Sequence, residues 1–231
     1  MRLSAPVFRL KRDAKKLARD RSVPLHVALD EVAVREGFRS WSHMMAARPV
    51  ATLAAQVRAG IAPGSLVVLA ARPGQGKTRL GLELAQEAVR AGQRGWFFTL
   101  DYTRRDVAAL LDEGEATECT VDTSDEICAA HILASTGDAG RGDVIVIDFL
   151  QLLDQKRVHP PLQEQLEDLK RHAQATGAII AAISQVDRRF DAETGDVPGF
   201  DDLRMPNPVD LSLFDRGCFL YGGEARLLHT A

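Results

Sequence analysis

The strongest structural signal lies between residues 65 and 78, which read Ser65-Leu66-Val67-Val68-Leu69-Ala70-Ala71-Arg72-Pro73-Gly74-Gln75-Gly76-Lys77-Thr78. The run from Ser65 to Ala70 is short and apolar, as is typical of a strand buried on both faces of a parallel sheet. A glycine-rich turn follows it, and the apolar periodicity from Thr78 to about Arg90 predicts a helix.

The turn between this strand and this helix has the chemistry of a phosphate-binding loop. Gly74 and Gly76 let backbone N–H groups approach phosphate oxygens, and the helix N-terminus adds partial positive charge. Lys77 is expected to reach the β- and γ-phosphates and Thr78 to hold Mg²⁺. The usual motif begins with glycine, whereas this chain has Ala71. We expect ATP and Mg²⁺ as cofactors, with the nucleotide bound by Arg72, Pro73, Gly74, Gln75, Gly76, Lys77, Thr78 and Arg79.

Strand and helix patterns alternate through the rest of the chain after Pro49. Further strands are predicted at Gly95–Leu100, Cys119–Val121, Val144–Ile147 and Ala178–Ile183, and a closing hairpin at Gly217–Tyr221 and Ala225–Leu228. Further helices are predicted at Thr103–Asp112 and Leu162–Thr176. Such alternation implies an α/β fold, with a parallel sheet joined by right-handed crossovers and flanked by helices.

Polar residues stand where three of these strands end, at the edge where parallel sheets bind ligands. Asp148 is expected to bind Mg²⁺ through water. Asp101 is either a general base that orients the attacking water or a solvated loop acid. Ser184-Gln185 either contacts the γ-phosphate or is an ordinary polar strand end.

Four motifs together resemble the ATPase domain of the DnaB-type replicative helicases, over about residues 55–221. They are the loop up to Thr78, Ile147-Asp148-Phe149-Leu150-Gln151-Leu152-Leu153 (I-D-Y-L-Q-L in the family), Ile183-Ser184-Gln185-Val186-Asp187-Arg188 (L-S-Q-L-N-R) and Asp202-Leu203-Arg204 (S-D-L-R). The resemblance implies a RecA-like core, ATP hydrolysis coupled to movement on single-stranded DNA, and hexameric rings. It makes Asp101, Lys77 and Gln185 the expected catalytic residues, and Thr78 and Asp148 the expected metal ligands.

Two positions depart from the family pattern. The family's catalytic glutamate corresponds to Asp101, which is one methylene shorter, so slower hydrolysis is expected. The family's basic finger, which reaches into a neighbouring subunit, corresponds to Asp196 and Val197, before Pro198. Since such a finger contributes about 10³–10⁵ in rate, its loss should impair a ring helicase.

The first 48 residues predict a separate, small, all-helical unit beside the RecA-like domain at 49–231. Its helices are expected at Lys11–Arg19, from Pro24 to Gly37, and from Ser40 through Met45. Residues 24–47 are compatible with a helix-turn-helix. The basic helix before them either contacts nucleic-acid phosphates or is a solvated docking helix.

Composition limits the remaining choices. The net charge of −3 gives no global sign of a dedicated nucleic-acid binder. Three widely spaced cysteines indicate a reduced protein without a disulfide framework. With no signal peptide and no apolar run that could span a bilayer, we expect a cytoplasmic protein with no membrane partner.

Three hypotheses follow for function. The first is an ATP-dependent DnaB-like helicase or translocase acting on DNA. The second is a degenerate nucleotide-binding module, a regulator or partner-binding protein, with weak hydrolysis and no ring. The third is a recombinase-like RecA relative that forms DNA filaments.

Overall fold

The computed structural model describes residues 4–5, 7–46, 52–111, 117–154, 159–187, 190, 197–204 and 207–230. The chain divides into two compact units, residues 1–51 and 52–231. Within the described residues, no helix has both the length and the apolar character that crossing a membrane requires.

Within its described residues, the first unit contains three helices, α1 (Val7–Arg21), α2 (Leu25–Arg35) and α3 (Trp41–Ala46). Its small core is made by Leu10, Ala14, Ala28, Val32, Ala33 and Met44. The Ser40 hydroxyl accepts a hydrogen bond from the His43 N–H at 3.1 Å, as expected of a residue that caps α3. The first helix is longer than predicted, since it begins at Val7 rather than at Lys11.

The second unit is built on one seven-stranded sheet. Its strands are β1 (Leu66–Ala71), β2 (Gly95–Thr99), β3 (Thr120–Asp122), β4 (Val144–Asp148), β5 (Ile179–Gln185), β6 (Arg216–Tyr221) and β7 (Glu224–His229). They lie in the order β3-β2-β4-β5-β1-β6-β7, and only β7 runs antiparallel to its neighbour. The predicted α/β fold with a parallel sheet is therefore confirmed, as is the closing hairpin, formed by β6 and β7.

Helices cover both faces of this sheet. They are α4 (Leu53–Ala59), α5 (Lys77–Arg90), α6 (Arg104–Leu110), α7 (Ala129–Ser135) and α8 (Leu162–Thr176). One face packs against α4, α5 and α6, and the other against α7 and α8. Every residue of β1, β2 and β4 is buried, which explains why their sequences are apolar apart from Thr99 and Asp148 at the ends of β2 and β4.

The short helices α4 and α7 were missing from the sequence-based prediction, and the predicted strand ends were off by one or two residues. The predicted helix at Thr103–Asp112 ends at Leu110, and Asp112 lies outside the described residues. Gly95 begins β2 where the α5 backbone passes close by: a Cβ atom at this position would lie 2.2 Å from the Ala85 carbonyl oxygen. This position therefore requires glycine.

Candidate nucleotide-binding site

The loop between β1 and α5 forms an open turn at the carboxyl edge of the sheet. Gly74 and Gly76 have φ angles of 78° and 86°, in the left-handed region that favours glycine. A Cβ atom at either position would meet no atom within 4 Å, so the loop borders open space. Gly76 offers no side chain to cap α5, and the first turn of this helix has no acidic residue. Its N-terminal N–H groups and partial positive charge are thus available to an anion.

Asp148 lies against the first turn of α5. It is the last residue of β4 and is only 3% exposed. Its side chain is hydrogen-bonded to that of Thr78, and its buried Oδ2 atom has no hydrogen-bond partner among the described residues. The structure thus brings the two predicted metal ligands together. These two side chains are the ones that would hold a Mg²⁺ ion at this edge of the sheet.

Burial raises the pKa of Asp148 to about 6, because a carboxylate loses its hydration in this position. The hydrogen bond from Thr78 and the positive charge of Lys77 lower the pKa, and the negative charge of Asp101 raises it. These interactions show that Lys77, Thr78, Asp101 and Asp148 belong to one electrostatic cluster. A divalent cation would remove the desolvation penalty that keeps the pKa high.

Thr99 is a member of this site that the sequence analysis missed. It is the last residue of β2, pairs in register with Asp148 and is fully buried, and no residue that the structure describes pairs with its hydroxyl. Its side chain lies on the same face of the sheet as that of Asp148, since neighbouring strands in register share side-chain orientation. The signal in the sequence was a hydroxyl at the end of the otherwise apolar run Gly95–Thr99. Asp101 follows two residues later and is exposed.

Gln185 ends β5 directly beside the phosphate loop. It is in register with Ala71, the last residue of β1, and the next amide, that of Val186, donates to the Ala71 carbonyl at 3.1 Å. Ser184, one residue earlier, is fully buried, and its Oγ has no hydrogen-bond partner in the described part of the chain. The alternation of a strand places Ser184 on the opposite face of the sheet from Gln185. The two side chains therefore lie on opposite faces of the sheet, and the proposal that Gln185 contacts the γ-phosphate does not extend to Ser184.

The strand end at Gln185 is fastened to residues 202–204. The Arg204 N–H donates to the Gln185 carbonyl at 2.8 Å, and the Asp187 N–H donates to the Asp202 carbonyl at 2.7 Å. The Gln151 amide nitrogen donates to the Arg204 carbonyl at 3.0 Å. Three motifs that the resemblance treated separately, those containing Gln151, Gln185 and Arg204, thus meet in one hydrogen-bonded group.

Other predicted positions lie away from the cluster around Asp148, or outside the described residues. Arg79 is paired with Glu83 one turn further along α5, with Nε 2.7 Å from Oε1. Val197, one of the two positions of the family's finger, packs against the apolar cluster on the α8 face of the sheet. Asp196, the other position, lies outside the described residues. Arg72 is half-buried, and Pro73 and Gln75 are exposed in the loop.

Comparison with known proteins agrees with this geometry. A family model described as the DnaB-like helicase C terminal domain matches residues 51–125. A curated relative, the replicative DNA helicase DnaB of Leifsonia xyli subsp. xyli, is 27% identical over 188 residues, which cover 65% of this chain and 41% of the relative. The chain thus spans less than half the length of that relative.

Two solved structures show the same fold. One, described as an ATPase domain, superposes with a TM-score of 0.57 at 17% identity, over 84% of this chain and 83% of that one. A DnaB-like replicative helicase, described with its interactions with primase, superposes with a TM-score of 0.55 at 20% identity, over 69% of this chain and 48% of that one. From the sheet order and these superpositions, we conclude that the second unit has a RecA-like α/β fold and that the chain is similar to the ATPase domains of DnaB-like helicases.

Proposed function

We propose that residues 52–231 bind ATP with Mg²⁺ at the carboxyl edge of the sheet, hydrolyse it, and use the energy to move along DNA. The observation that carries this proposal is the buried Asp148 carboxyl, which is hydrogen-bonded to the Thr78 side chain beside the open loop between β1 and α5. A buried acid with an unsatisfied oxygen is costly for a fold, and a bound cation is a direct compensation.

Each residue of the cluster has a role in this proposal. Lys77 and the N–H groups at the start of α5 bind the β- and γ-phosphates, and Thr78 and Asp148 hold Mg²⁺. The metal, when bound, neutralises charge that develops on the transferred phosphoryl group. Asp101 accepts the proton of the attacking water. Gln185 contacts the γ-phosphate, and the unpartnered Thr99 hydroxyl binds water beside Asp148.

Hydrolysis is expected to be slower than with a glutamate base. The Asp101 carboxylate stands on a side chain one methylene shorter, and productive geometry tolerates errors of only about 0.5 Å. Assembly into a ring is proposed separately from hydrolysis. At the two positions that correspond to the family's basic finger, this chain has Asp196 and Val197, which supply no cation to a neighbouring subunit.

The test combines three measurements on the full chain. Calorimetry with ATP and Mg²⁺ measures binding, a coupled assay measures hydrolysis with and without single-stranded DNA, and light scattering measures mass in both states. Lys77→Ala is the inactive control. Arg171→Ala, which removes an exposed cation on α8, is its matched surface variant.

We expect ATP binding, turnover that rises with single-stranded DNA, and an oligomer with ATP. ATP binding without DNA-stimulated turnover in a monomer would favour the second hypothesis, a nucleotide-binding module. Filaments on DNA would favour the recombinase-like hypothesis. Absence of ATP binding by the wild-type chain would overturn the site itself.

A further inference from the structure

The charge on α1 is unlike that of the rest of the chain. This helix carries seven basic and two acidic residues within 15 positions, whereas the whole chain has a net charge of −3. The excess is therefore local, and a local basic field attracts a polyanion whatever the net charge of the protein.

Four of these cations form a single stripe, which we call the basic face: Arg9, Arg12, Lys16 and Arg19. Their spacing of three, four and three residues places them along one side of the helix, opposite the buried Leu10 and Ala14. All four are exposed. Asp13 and Asp20 lie at the margin of the stripe, so the field is moderate and will be easily screened by salt.

The basic face has no partner within the described part of the chain, although other cations of the same unit do. Arg21 and Arg35 both pair with Glu31, at 2.8 Å. No ion pair joins any of the four side chains of the basic face to a described residue. Four unpaired cations in a row contribute little to the folding stability of the unit. A role in binding an external anion therefore explains their presence better than a role in stabilising the fold.

We infer that the basic face binds the phosphate backbone of double-stranded DNA without reading its sequence. The stripe extends for about 15 Å, at 1.5 Å per residue. One DNA strand presents a phosphate about every 3.4 Å along the axis, so each cation has a phosphate within reach of its long side chain.

A duplex is favoured over a single strand because neither of the aromatic rings that the structure describes in this unit, those of Phe38 and Trp41, is exposed as a stacking platform. Single-strand binding sites combine basic residues with exposed aromatic rings, on which bases stack. In this unit Phe38 and Trp41 instead pack against the helical core. The described α3 has only six residues, which favours backbone contacts from α1 over base reading from a helix-turn-helix.

This inference is independent of the proposed function, because the basic face belongs to the first unit and takes no part in the nucleotide site. The test uses the full chain without nucleotide and a fluorescein-labelled 20-base-pair duplex. Fluorescence anisotropy gives the affinity over a range of salt concentrations. The variant is the quadruple substitution R9Q/R12Q/K16Q/R19Q.

A matched control removes the same charge elsewhere. R39Q/R90Q/R141Q/R171Q replaces four exposed arginines scattered over both units. A second control, R9K/R12K/R19K, keeps the charge of the basic face. Circular dichroism and ATP affinity establish that each variant is folded and that its nucleotide site is intact.

We expect the wild-type chain to bind the duplex with a strong salt dependence. The slope of log K against log salt should become less steep by about 3 to 4 in the quadruple variant, since each phosphate contact contributes about 0.9. The scattered control and the lysine variant should keep nearly the wild-type slope.

Four results would overturn the inference. The first is a wild-type chain that does not bind duplex, and the second is a scattered control that loses as much duplex affinity as the quadruple variant. The third is a quadruple variant whose affinity for a single strand of the same sequence falls as much as its affinity for duplex. The fourth is a quadruple variant that loses binding to phosphatidylserine vesicles but keeps binding to duplex. None of these would affect ATP binding at Lys77, so failure here is distinguishable from failure of the proposed function.

Discussion

Removing the buried charge of Asp148 should stabilise the fold while weakening metal binding. The carboxyl has a pKa of about 6 in the folded chain, raised by burial from an ordinary value of 3.8. The folded state therefore holds the proton more tightly than the unfolded state does. The charge opposes folding most strongly above about pH 6, and the penalty fades as the pH falls towards 4.

The size of this effect follows from the difference between the two pKa values. A difference of one in pKa corresponds to about 1.4 kcal/mol, so the charged form costs about 3 kcal/mol at pH 7.5. The same linkage leaves a penalty of about 1.5 kcal/mol at pH 5. Asp148→Asn preserves the shape of the side chain and removes the charge. Without Mg²⁺ the substitution should therefore raise the free energy of unfolding by up to about 3 kcal/mol at pH 7.5 and up to about 1.5 kcal/mol at pH 5.

The assay is urea unfolding of the second unit, followed by tryptophan fluorescence in EDTA. The chain has two tryptophans, and a Trp41→Phe background leaves Trp96, buried in β2, as the reporter. Asp143→Asn is the matched control. Asp143 is also buried, but it accepts hydrogen bonds from the Arg94 and Gly140 backbone N–H groups and from the Arg94 side chain.

The two substitutions should have opposite signs. Asp143→Asn should destabilise the unit by about 1–3 kcal/mol, because it weakens satisfied, charge-assisted bonds. Asp148→Asn should stabilise it, and by less at pH 5 than at pH 7.5. If Asp148→Asn lowers stability at pH 7.5, or if its effect does not change with pH, the argument from buried charge is wrong.

Three further predictions concern the loop, the base and the packing of the sheet. Lys77→Ala should weaken ATP binding roughly 100-fold, since a charged hydrogen bond contributes about 3 kcal/mol; unchanged affinity by calorimetry contradicts the assignment. Asp101→Glu should raise the hydrolysis rate by restoring the reach of the base, and a flat or reduced rate in the coupled assay would exclude that role. Gly95→Ala should cost about 3 kcal/mol in urea unfolding, because its Cβ atom would overlap the Ala85 carbonyl, whereas Gly137→Ala, with its nearest contact at 3.4 Å, should be close to neutral.

The central strands and the glycine-rich turn after β1 were predictable because their signals are local. Continuous apolar runs indicate β1, β4 and β5, and a glycine-rich turn before a helix indicates the loop. The contact between Thr78 and Asp148 could also be predicted. Asp148 ends β4 and Thr78 lies in the helix that follows β1, and a parallel sheet brings the carboxyl ends of its strands to one edge.

The short helix α7 was not predictable, since its start depends on a residue distant in sequence. The Gln165 side chain, on α8, accepts a hydrogen bond from the Ala129 N–H at 2.9 Å. Gln86 likewise accepts bonds from the Glu118 and Cys119 N–H groups, next to the edge strand β3. A pattern of neighbouring residues contains no trace of such bonds.

The place of Thr99 in the site could not be predicted for a similar reason. Its position beside Asp148 requires the register of β2 on β4, which long-range packing sets. The exposure of Asp101 depends on the path of the chain after that strand. The position of Thr99 beside Asp148 therefore becomes visible only once the register of β2 on β4 is known.

Backbone hydrogen bonds connect the end of β5 to residues 202–204 and so join the candidate nucleotide site to a segment at the surface. Under the proposed function Gln185 contacts the γ-phosphate, and its backbone carbonyl accepts a hydrogen bond from the Arg204 N–H at 2.8 Å. A displacement of that backbone on release of phosphate would then be carried through main-chain hydrogen bonds to a segment outside the sheet. The exposed Arg204 side chain would then move with it, so the event in the pocket is converted into motion at the surface.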